Sequence, residues 1–455
     1  MAARSTGHRA AGEIETLARI GDPRKNVESG GPNSHAATRS NAHGAGHAAR
    51  VFPSRTGCLM QTHSPRIAVI GGGVIGLAIA RSLAQLGAAV TILERSRPGA
   101  GTSSTSFAWV NSNGKAPASY HRLNCAGMAE HAALQQRAGS EARWFDACGT
   151  FEWAADAAGQ QRLDERVRKL QALAYPAAEV SPEFVRARIP EWRIASGAGP
   201  IWHFPSEGLL DPAILMAYLW SEARASGAVL HQQAEVLEVD ERADGASLRL
   251  ADGGAWHGDF CVLATGRWTA RLVASLGIGL AMVDAERRDR VACGFLASTD
   301  PQLVQLRSNL IGPDLNVRPD GGGRLLLQAI DLDDQADPAN PPAPDSEIGR
   351  EMLRRLHGWF DNTAHARLER LVVGQRSRPA DGLPAIGFLT PRRRAYVAAT
   401  HSGMTLGPLL GRLVAEELVH ERRDALLADF APDRLLNRDP GEFSPIASIP
   451  FPAEQ

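Results

Sequence analysis

The chain is poor in cysteine. The five it has in 455 residues (Cys58, Cys125, Cys148, Cys261 and Cys293) are scattered, with no Cys-x-x-Cys pair. That excludes a disulfide framework and a zinc ribbon. It suits a reducing cytoplasm, where each sulfur packs as a small core residue. An excess of one charge is also missing: 49 Lys and Arg stand against 50 Asp and Glu, a net charge of −1. Near-neutrality argues against nucleic acid as the main partner. Long apolar runs are absent too. The longest, Ile67 to Ala80, ends at Arg81, short of the ~18–20 residues that span a bilayer. No transmembrane segment is expected, and membrane contact is at most peripheral.

The first 63 residues lack the makings of a core. Met1 to Gln61 is rich in Ala, Gly, Ser, Arg and His and has no sustained apolar period. His8, His35, His43 and His47 have no regular ligand spacing, so a solvated segment is expected and no metal. There is no apolar signal core, which excludes a secretory leader. Met60 stands just ahead of the first apolar strand. Residues 1–63 are therefore expected to be a disordered tail, or an extension upstream of a true start at Met60. The rest is long enough for a large core and two subdomains.

What the chain does have is glycine in an informative place. Ile67-Ala-Val-Ile-Gly-Gly-Gly-Val-Ile-Gly76 reads as a buried strand, a glycine turn and a helix start. Gly71, Gly73 and Gly76 give GxGxxG spacing around Val74 and Ile75, and a second strand, Ala89 to Leu93, ends on Glu94. Each part has a physical job. Gly71 allows the tight turn, Gly73 lets the backbone approach a pyrophosphate, and Gly76 brings the helix close to the sheet. The helix start offers free N–H groups and a positive dipole end. Glu94 can accept hydrogen bonds from a ribose diol, which disfavours a 2′-phosphate. A lone GxGxxG is weak. With both strands and the terminal acid it predicts dinucleotide binding.

Arg95 then opens a loop that ends in Thr102, Ser103 and Ser104, hydroxyls that either donate to phosphate or cap the next helix. Asp211-Pro212 starts a helix that runs to Arg224 and stops near Gly227. Ala228 to Gly266 reads as short strands with hairpin turns at Asp244-Gly245 and Asp252-Gly253. Its last strand runs into Ala264-Thr265-Gly266, a second close backbone approach. A meander that returns to the sheet is unlike a plain nicotinamide dehydrogenase. Near the C-terminus a strand from Ala395 leads into His401-Ser402-Gly403-Met404-Thr405 and an amphipathic helix to Leu418. Such a helix start can present N–H groups to the electron-rich edge of a ring.

In this order the blocks Val69–Glu94, Gly101–Ser104, Glu207–Pro212, Leu263–Gly266 and Asp381–Thr405 resemble the D-amino acid oxidase-like FAD-dependent oxidoreductases. That group includes glycine oxidase, sarcosine oxidase and D-amino acid dehydrogenase. The resemblance runs from Pro65 to about Leu418. It implies an α/β fold with a Rossmann-type, glutathione-reductase-like FAD-binding domain from 64–155, 205–270 and 370–430. A second, antiparallel-sheet substrate domain comes from 156–204 and 271–369, and 431–455 is a C-terminal tail. By the same resemblance the first block, Arg95 and Thr102–Ser104 hold the ADP half of a noncovalent FAD. The strand at Val236 holds the adenine. Ala264, Thr265, Gly266 and Trp268 lie near the diphosphate, and His401, Ser402, Gly403, Met404 and Thr405 face the flavin pyrimidine edge.

The chemistry implied is oxidation of the C–N bond of a small amino acid or N-substituted amino acid, with hydride passing to flavin N5 and the imine hydrolysing in water. Electrons would go to O2. The alternatives are a dehydrogenase that passes them to a quinone or carrier protein, and a flavin-binding subunit of a modifying complex. Orientation of an amino acid calls for a guanidinium paired with its carboxylate. Aligned without gaps, Arg376 falls on the family's carboxylate-binding arginine, although the Arg-Pro expected there recurs at Arg378-Pro379; Arg318 is a third candidate. The competing reading for Arg376 and Arg378 is a salt bridge near Asp381. Trp109, Asn111, Tyr120 and His121 are read either as facing flavin or substrate or as core, and Trp202 and His203 as structural. The Asp- and Pro-rich stretch 331–344 is expected to be exposed.

Overall fold

The computed structural model describes residues 64–443 apart from 141, 194–198 and 285. The expectations for residues 1–63 lie outside them. Strand β1 (Arg66–Ile70) is buried from Ile67 onward and has parallel neighbours on both sides. Its continuous apolar run is what a strand covered on both faces requires. The sheet order is β5-β6-β4-β1-β2-β3, with β2 Ala89–Leu93, β3 Val229–His231, β4 Phe260–Leu263, β5 Ala385–Phe388 and β6 Ala395–Ala399. All pairs are parallel except β5 with β6. Helix α1 (Val74–Gln85) joins β1 to β2. Between β3 and β4 runs the expected meander, Val236–Arg242, Gly245–Leu250 and Ala255–Gly258.

Helix α2 spans Ala118–Ala138, α3 Pro212–Ala225 and α4 Gly403–His420. The start of α3 is as read: the Asp211 side chain accepts from the Ala213 and Ile214 N–H groups, with Pro212 in the first turn. On α4, Gly403, Gly407 and Gly411 recur at four-residue spacing and face α1. A Cβ at Gly411 would lie 2.5 Å from the Ala78 carbonyl oxygen, and one at Gly407 3.1 Å from a Val74 methyl. Only hydrogen at Gly411 lets the two backbones come this close.

A second sheet has eight strands in the order Leu368–Gln375, Cys293–Thr299, Leu325–Gln328, Asn316–Pro319, Asn309–Ile311, Thr150–Glu152, Ile201–Phe204 and Ala178–Val180. It departs from the expected antiparallel sheet at one place, where Asn309–Ile311 runs parallel to Thr150–Glu152. These two strands are joined through a long stretch of chain that includes α3, so no hairpin imposes antiparallel pairing. Strands Thr150–Glu152 and Leu368–Gln375 reach into segments read as belonging to the FAD-binding part.

Two further expectations are corrected. The stretch 331–344 is not simply exposed: a 3-10 turn, Ile330–Gln335, buries Leu332 and all of Asp333. Nor do residues 431–443 hang free as a tail, because Leu435 is fully buried and Leu436 bridges to Leu280. Apolar side chains at Leu427, Phe430 and Leu435 draw this segment onto the body. Among the described residues no helix is long and apolar enough to cross a membrane.

Candidate active site

The glycine turn is held by its neighbours. Gly71 has φ +106°, and its N–H donates to Leu93 O at 2.9 Å. A Cβ there would lie 2.6 Å from Ala264 O, and one at Gly76 only 2.0 Å from Gly71 O. Gly73 differs: a Cβ would meet only Ser103 Oγ, at 3.1 Å, so its backbone faces open space. Glu94 clamps the turn, accepting from Gly72 N at 2.7 Å and from Ser96 N at 2.9 Å. Each carboxylate oxygen keeps a lone pair for a ribose hydroxyl. Gly73 is the N-cap of α1 and offers no side-chain cap, so orphan N–H groups remain at the helix start. Val74 N donates to Ser103 Oγ at 3.1 Å.

One cavity of about 440 Å³ brings together most of the residues read from the sequence. Gly71, Gly73, Val74, Ile75, Glu94, Arg95, Thr102, Ser103, Val236, Ala264, Thr265, Gly266, Trp268, His401, Ser402, Gly403, Met404, Thr405 and Arg376 lie on its wall. Gly76, Ser104, Arg318 and Arg378 do not. The Ser104 hydroxyl donates within its own turn to Gly101 O at 3.2 Å, and that of Thr102 to Gln375 O at 2.7 Å. Trp268 is sandwiched between the guanidinium groups of Arg95 and Arg267, at 3.6 and 3.7 Å from its ring centre. Burial, with Arg95 adding to it, holds Arg267 down at about 10. The sequence reading passed over Arg267, although it adjoins Trp268.

The start of α4 is fixed from α2. Pro408 has no N–H, so the Met404 carbonyl lacks its partner within the helix. His131 Nε2 fills the gap at 2.7 Å, its imidazole kept neutral by burial. A Cβ at Gly127 would lie 2.6 Å from Thr405 O, so α2 crosses in close contact. Tyr120 Oη shares a hydrogen bond of 2.6 Å with Ser402 Oγ. Tyr120 thus supports the loop from behind. His121 is spent on Ser112 at 2.9 Å, whereas Trp109 and Asn111 lie on the cavity wall. Burial holds the His401 imidazole neutral, and Arg378, Lys115 and Arg376 push the same way.

The arginines are placed differently from one another. Arg376 donates to the Arg290 carbonyl at 2.7 Å, to that of Cys293, and to Asp333 Oδ2 at 3.0 Å. Asp333 also accepts from Phe295 N at 2.9 Å, and burial pushes its carboxyl up to about 6. Both Nη1 hydrogens and one Nη2 hydrogen of Arg376 are thus engaged within the chain. Arg318 is spent on the Phe107 and Pro319 carbonyls. Asp381 pairs with Arg434 at 2.6 Å rather than with Arg376 or Arg378. Arg378 is 3% exposed, and its Nη1 is buried without a hydrogen-bond partner among the described residues. Besides Arg267, the cations on the wall that the sequence reading missed are Arg271 and Lys115. Burial holds Lys115 down at about 8, with Arg378 pushing the same way and Glu207 opposing. Its signal in the sequence is rarity, since Lys25, Lys115 and Lys169 are the only lysines.

A doubly connected parallel sheet, a GxGxxG turn open at its middle glycine and an acid at the end of the second strand define a Rossmann-type dinucleotide-binding protein. The family pattern of FAD dependent oxidoreductases named DAO matches residues 66–417, and the chain belongs to that family. It is 26% identical over 385 residues to glycine oxidase of Geobacillus kaustophilus (strain HTA426), covering 82% of this chain and 96% of that one. It is 26% identical over 391 residues to the formaldehyde-forming 4-methylaminobutanoate oxidase of Paenarthrobacter nicotinovorans, spanning 45% of that longer protein. The crystal structure of glycine oxidase from Geobacillus kaustophilus superposes with a TM-score of 0.70 at 25% identity, covering 81% of this chain and 99% of that one. Iminodiacetate oxidase from Chelativorans sp. BNC1 shares the fold, with a TM-score of 0.69 at 21% identity, covering 81% and 99%.

The enzyme is therefore an FAD-dependent oxidoreductase, and its own residues fit that cofactor. Gly73 leaves room for a diphosphate at the start of α1, where the N–H groups of the first turn have no side-chain cap from the N-cap residue.

Proposed function

We propose that the enzyme oxidises the C–N bond of a small amino acid or N-substituted amino acid, giving an imine that water hydrolyses. FAD, when bound, supplies the hydride acceptor at flavin N5. The orphan N–H groups of α1 and Ser103 face the diphosphate, Glu94 the ribose and the Val236 strand the adenine. The His401–Thr405 loop faces the pyrimidine edge. The six-stranded sheet carries this cofactor part, and the eight-stranded sheet closes over the substrate. FAD is held without a covalent bond; among the described residues His401 is the one His or Cys on the wall.

The observation that carries the reading is one cavity shared by the glycine turn and by Lys115. Lys115 takes the place expected of Arg376: its ammonium group receives the substrate carboxylate, while Arg376 stays bound to Asp333. Relatives named glycine oxidase and 4-methylaminobutanoate oxidase support an amine substrate of this size. Electrons pass on to O2 in this reading, and a cytoplasmic location is supported by the scattered cysteines.

The test is anaerobic mixing of the FAD-loaded enzyme with a panel of amino and N-methyl amino acids, followed by air. Bleaching of the flavin by one class, with peroxide on reoxidation, is expected. Bleaching with slow reoxidation would move the acceptor to a quinone or carrier. Loaded enzyme that no amino acid bleaches would overturn the reading.

A further inference from the structure

We infer that Gln328 reads an uncharged oxygen on the amine substrate, so that the enzyme favours amino acids or N-substituted amino acids that carry a hydroxyl. The inference rests on the proposed function, whose substrate class it narrows. Gln328 ends the strand Leu325–Gln328 of the eight-stranded sheet. Side chains on a strand alternate between its two faces. Leu325 and Leu327 point into one apolar core, whereas Leu326 packs with Phe107, Leu296 and Trp109 on the other face. Gln328 shares the face of Leu326. The register that pairs Ala297 with Leu327 carries Leu296 alongside Gln328. Both lie on the cavity wall, together with Phe107 and Trp109.

The surroundings of Gln328 on the wall are largely carbon. Trp109 spends its indole N–H on Glu207 Oε2 at 2.8 Å and Thr150 Oγ1 at 3.1 Å, and so offers the cavity only its ring. Gln328 is polar and 8% exposed. Asn316, opposite it in the sheet, donates to its Oε1 at 3.2 Å. That bond fixes the amide and leaves the Nε2 hydrogens with no acceptor among the described residues. A donor enclosed by apolar groups costs free energy unless a ligand supplies the acceptor. A neutral amide suits an uncharged oxygen. A second carboxylate would lack a counter-charge here, because Lys115 is assigned to the first and Arg376 is paired with Asp333. Arg318, on the same face opposite Leu326, already donates to the Phe107 and Pro319 carbonyls.

The experiment uses FAD-loaded wild type, Q328M and Q328E. Substrates come in pairs of equal shape that differ by one oxygen: serine against 2-aminobutyrate, homoserine against norvaline, and N-(2-hydroxyethyl)glycine against N-propylglycine. The chiral ones are used as both enantiomers, and anaerobic flavin reduction gives kcat/KM for each. Wild type is expected to favour the oxygenated member of at least one pair by about tenfold or more. Q328M, apolar and of similar length, should bring that ratio close to one. Q328E keeps the acceptor for Asn316 but loses the donor, and provides the same comparison if Q328M does not fold. Wild type without a preference would overturn the inference. So would variants that lose equally on both members of a pair, which is the mark of a structural role. Binding of 4-hydroxybutyrate against pentanoate, read from the flavin absorption spectrum, needs no oxidation. Enzyme that no amino acid bleaches, yet that binds the hydroxy acid more tightly only while Gln328 is present, would fail the proposed function and leave the reading of an oxygen standing.

Discussion

The three glycines of the turn do different work, and replacing them one at a time separates fold from cofactor. In Gly71→Ala the new methyl sits at φ +106° and 2.6 Å from Ala264 O, a backbone atom of β4's end. Strain at such a dihedral costs about 1–3 kcal/mol, and overpacking against backbone about 1–3 kcal/mol more. A loss of about 2–6 kcal/mol corresponds to a melting temperature lower by roughly 2–7 °C in a chain of this size. In Gly73→Ala the methyl meets only Ser103 Oγ, at 3.1 Å, which can rotate away. The lost Val74–Ser103 hydrogen bond is worth about 1 kcal/mol, so the apoprotein should melt within roughly 2 °C of wild type. That same methyl stands where a diphosphate must approach the start of α1, and FAD should bind at least about tenfold more weakly, ~1.4 kcal/mol. Apoprotein melting curves and flavin-fluorescence titrations read the two effects separately. A G73A apoprotein that melts as early as G71A, or that binds FAD like wild type, would refute the reasoning.

Lys115 holds its proton only to about pH 8. KM for a carboxylate substrate should be flat below that pH and rise by about tenfold per unit above it; K115M should raise KM at every pH and abolish the dependence. A wild-type KM that stays constant from pH 7 to about 10 would exclude Lys115 as receptor. Asp333→Ala leaves Arg376 buried with a missing counter-charge and should cost about 3–5 kcal/mol in denaturant unfolding. D333N, which still accepts from Phe295 N, should lose less. Because burial raises Asp333 from 3.8 to about 6, the folded state holds that proton more tightly. Wild type should therefore lose stability relative to D333N as pH rises through that window, and parallel curves would refute the assignment. Gly411→Ala drives a methyl to 2.5 Å from Ala78 O. It should lower stability by about 1–3 kcal/mol, as measured by thermal unfolding.

What was legible in the sequence was local. The strand, turn and helix around Gly71–Gly76, the acid at Glu94, the capped helix at Asp211 and the Asp-Gly hairpins each depend on a few adjacent residues. Their periods and turn chemistry are visible without the fold. The parts that escaped depend on partners far along the chain. An Asp- and Pro-rich stretch reads as solvated until Arg376 and Phe295 N are seen to meet Asp333. Arg376 reads as a receptor until its guanidinium is seen to pair with Asp333 and two backbone carbonyls. Ser104 and Thr102 look like phosphate ligands until their hydroxyls are traced to Gly101 and Gln375. Lys115 belongs to no motif, and only burial and a cationic neighbourhood set it apart.

The glycine seam between α1 and α4 also bears on how the protein is made. Helix α1 leaves the ribosome more than 300 residues before α4. Until α4 arrives, the face of α1 carrying Val74 and Ala78 has nothing to cover it, and β1 lacks β6 two strands away. A nascent chain in that state exposes apolar surface for as long as the middle of the protein takes to be synthesised, the condition in which chaperones are recruited and aggregation begins. FAD loading then belongs to the released chain, since the diphosphate and pyrimidine ends of the site are born at opposite times. A message truncated before His401 would yield no weakened flavoprotein but an apoprotein with an open flank.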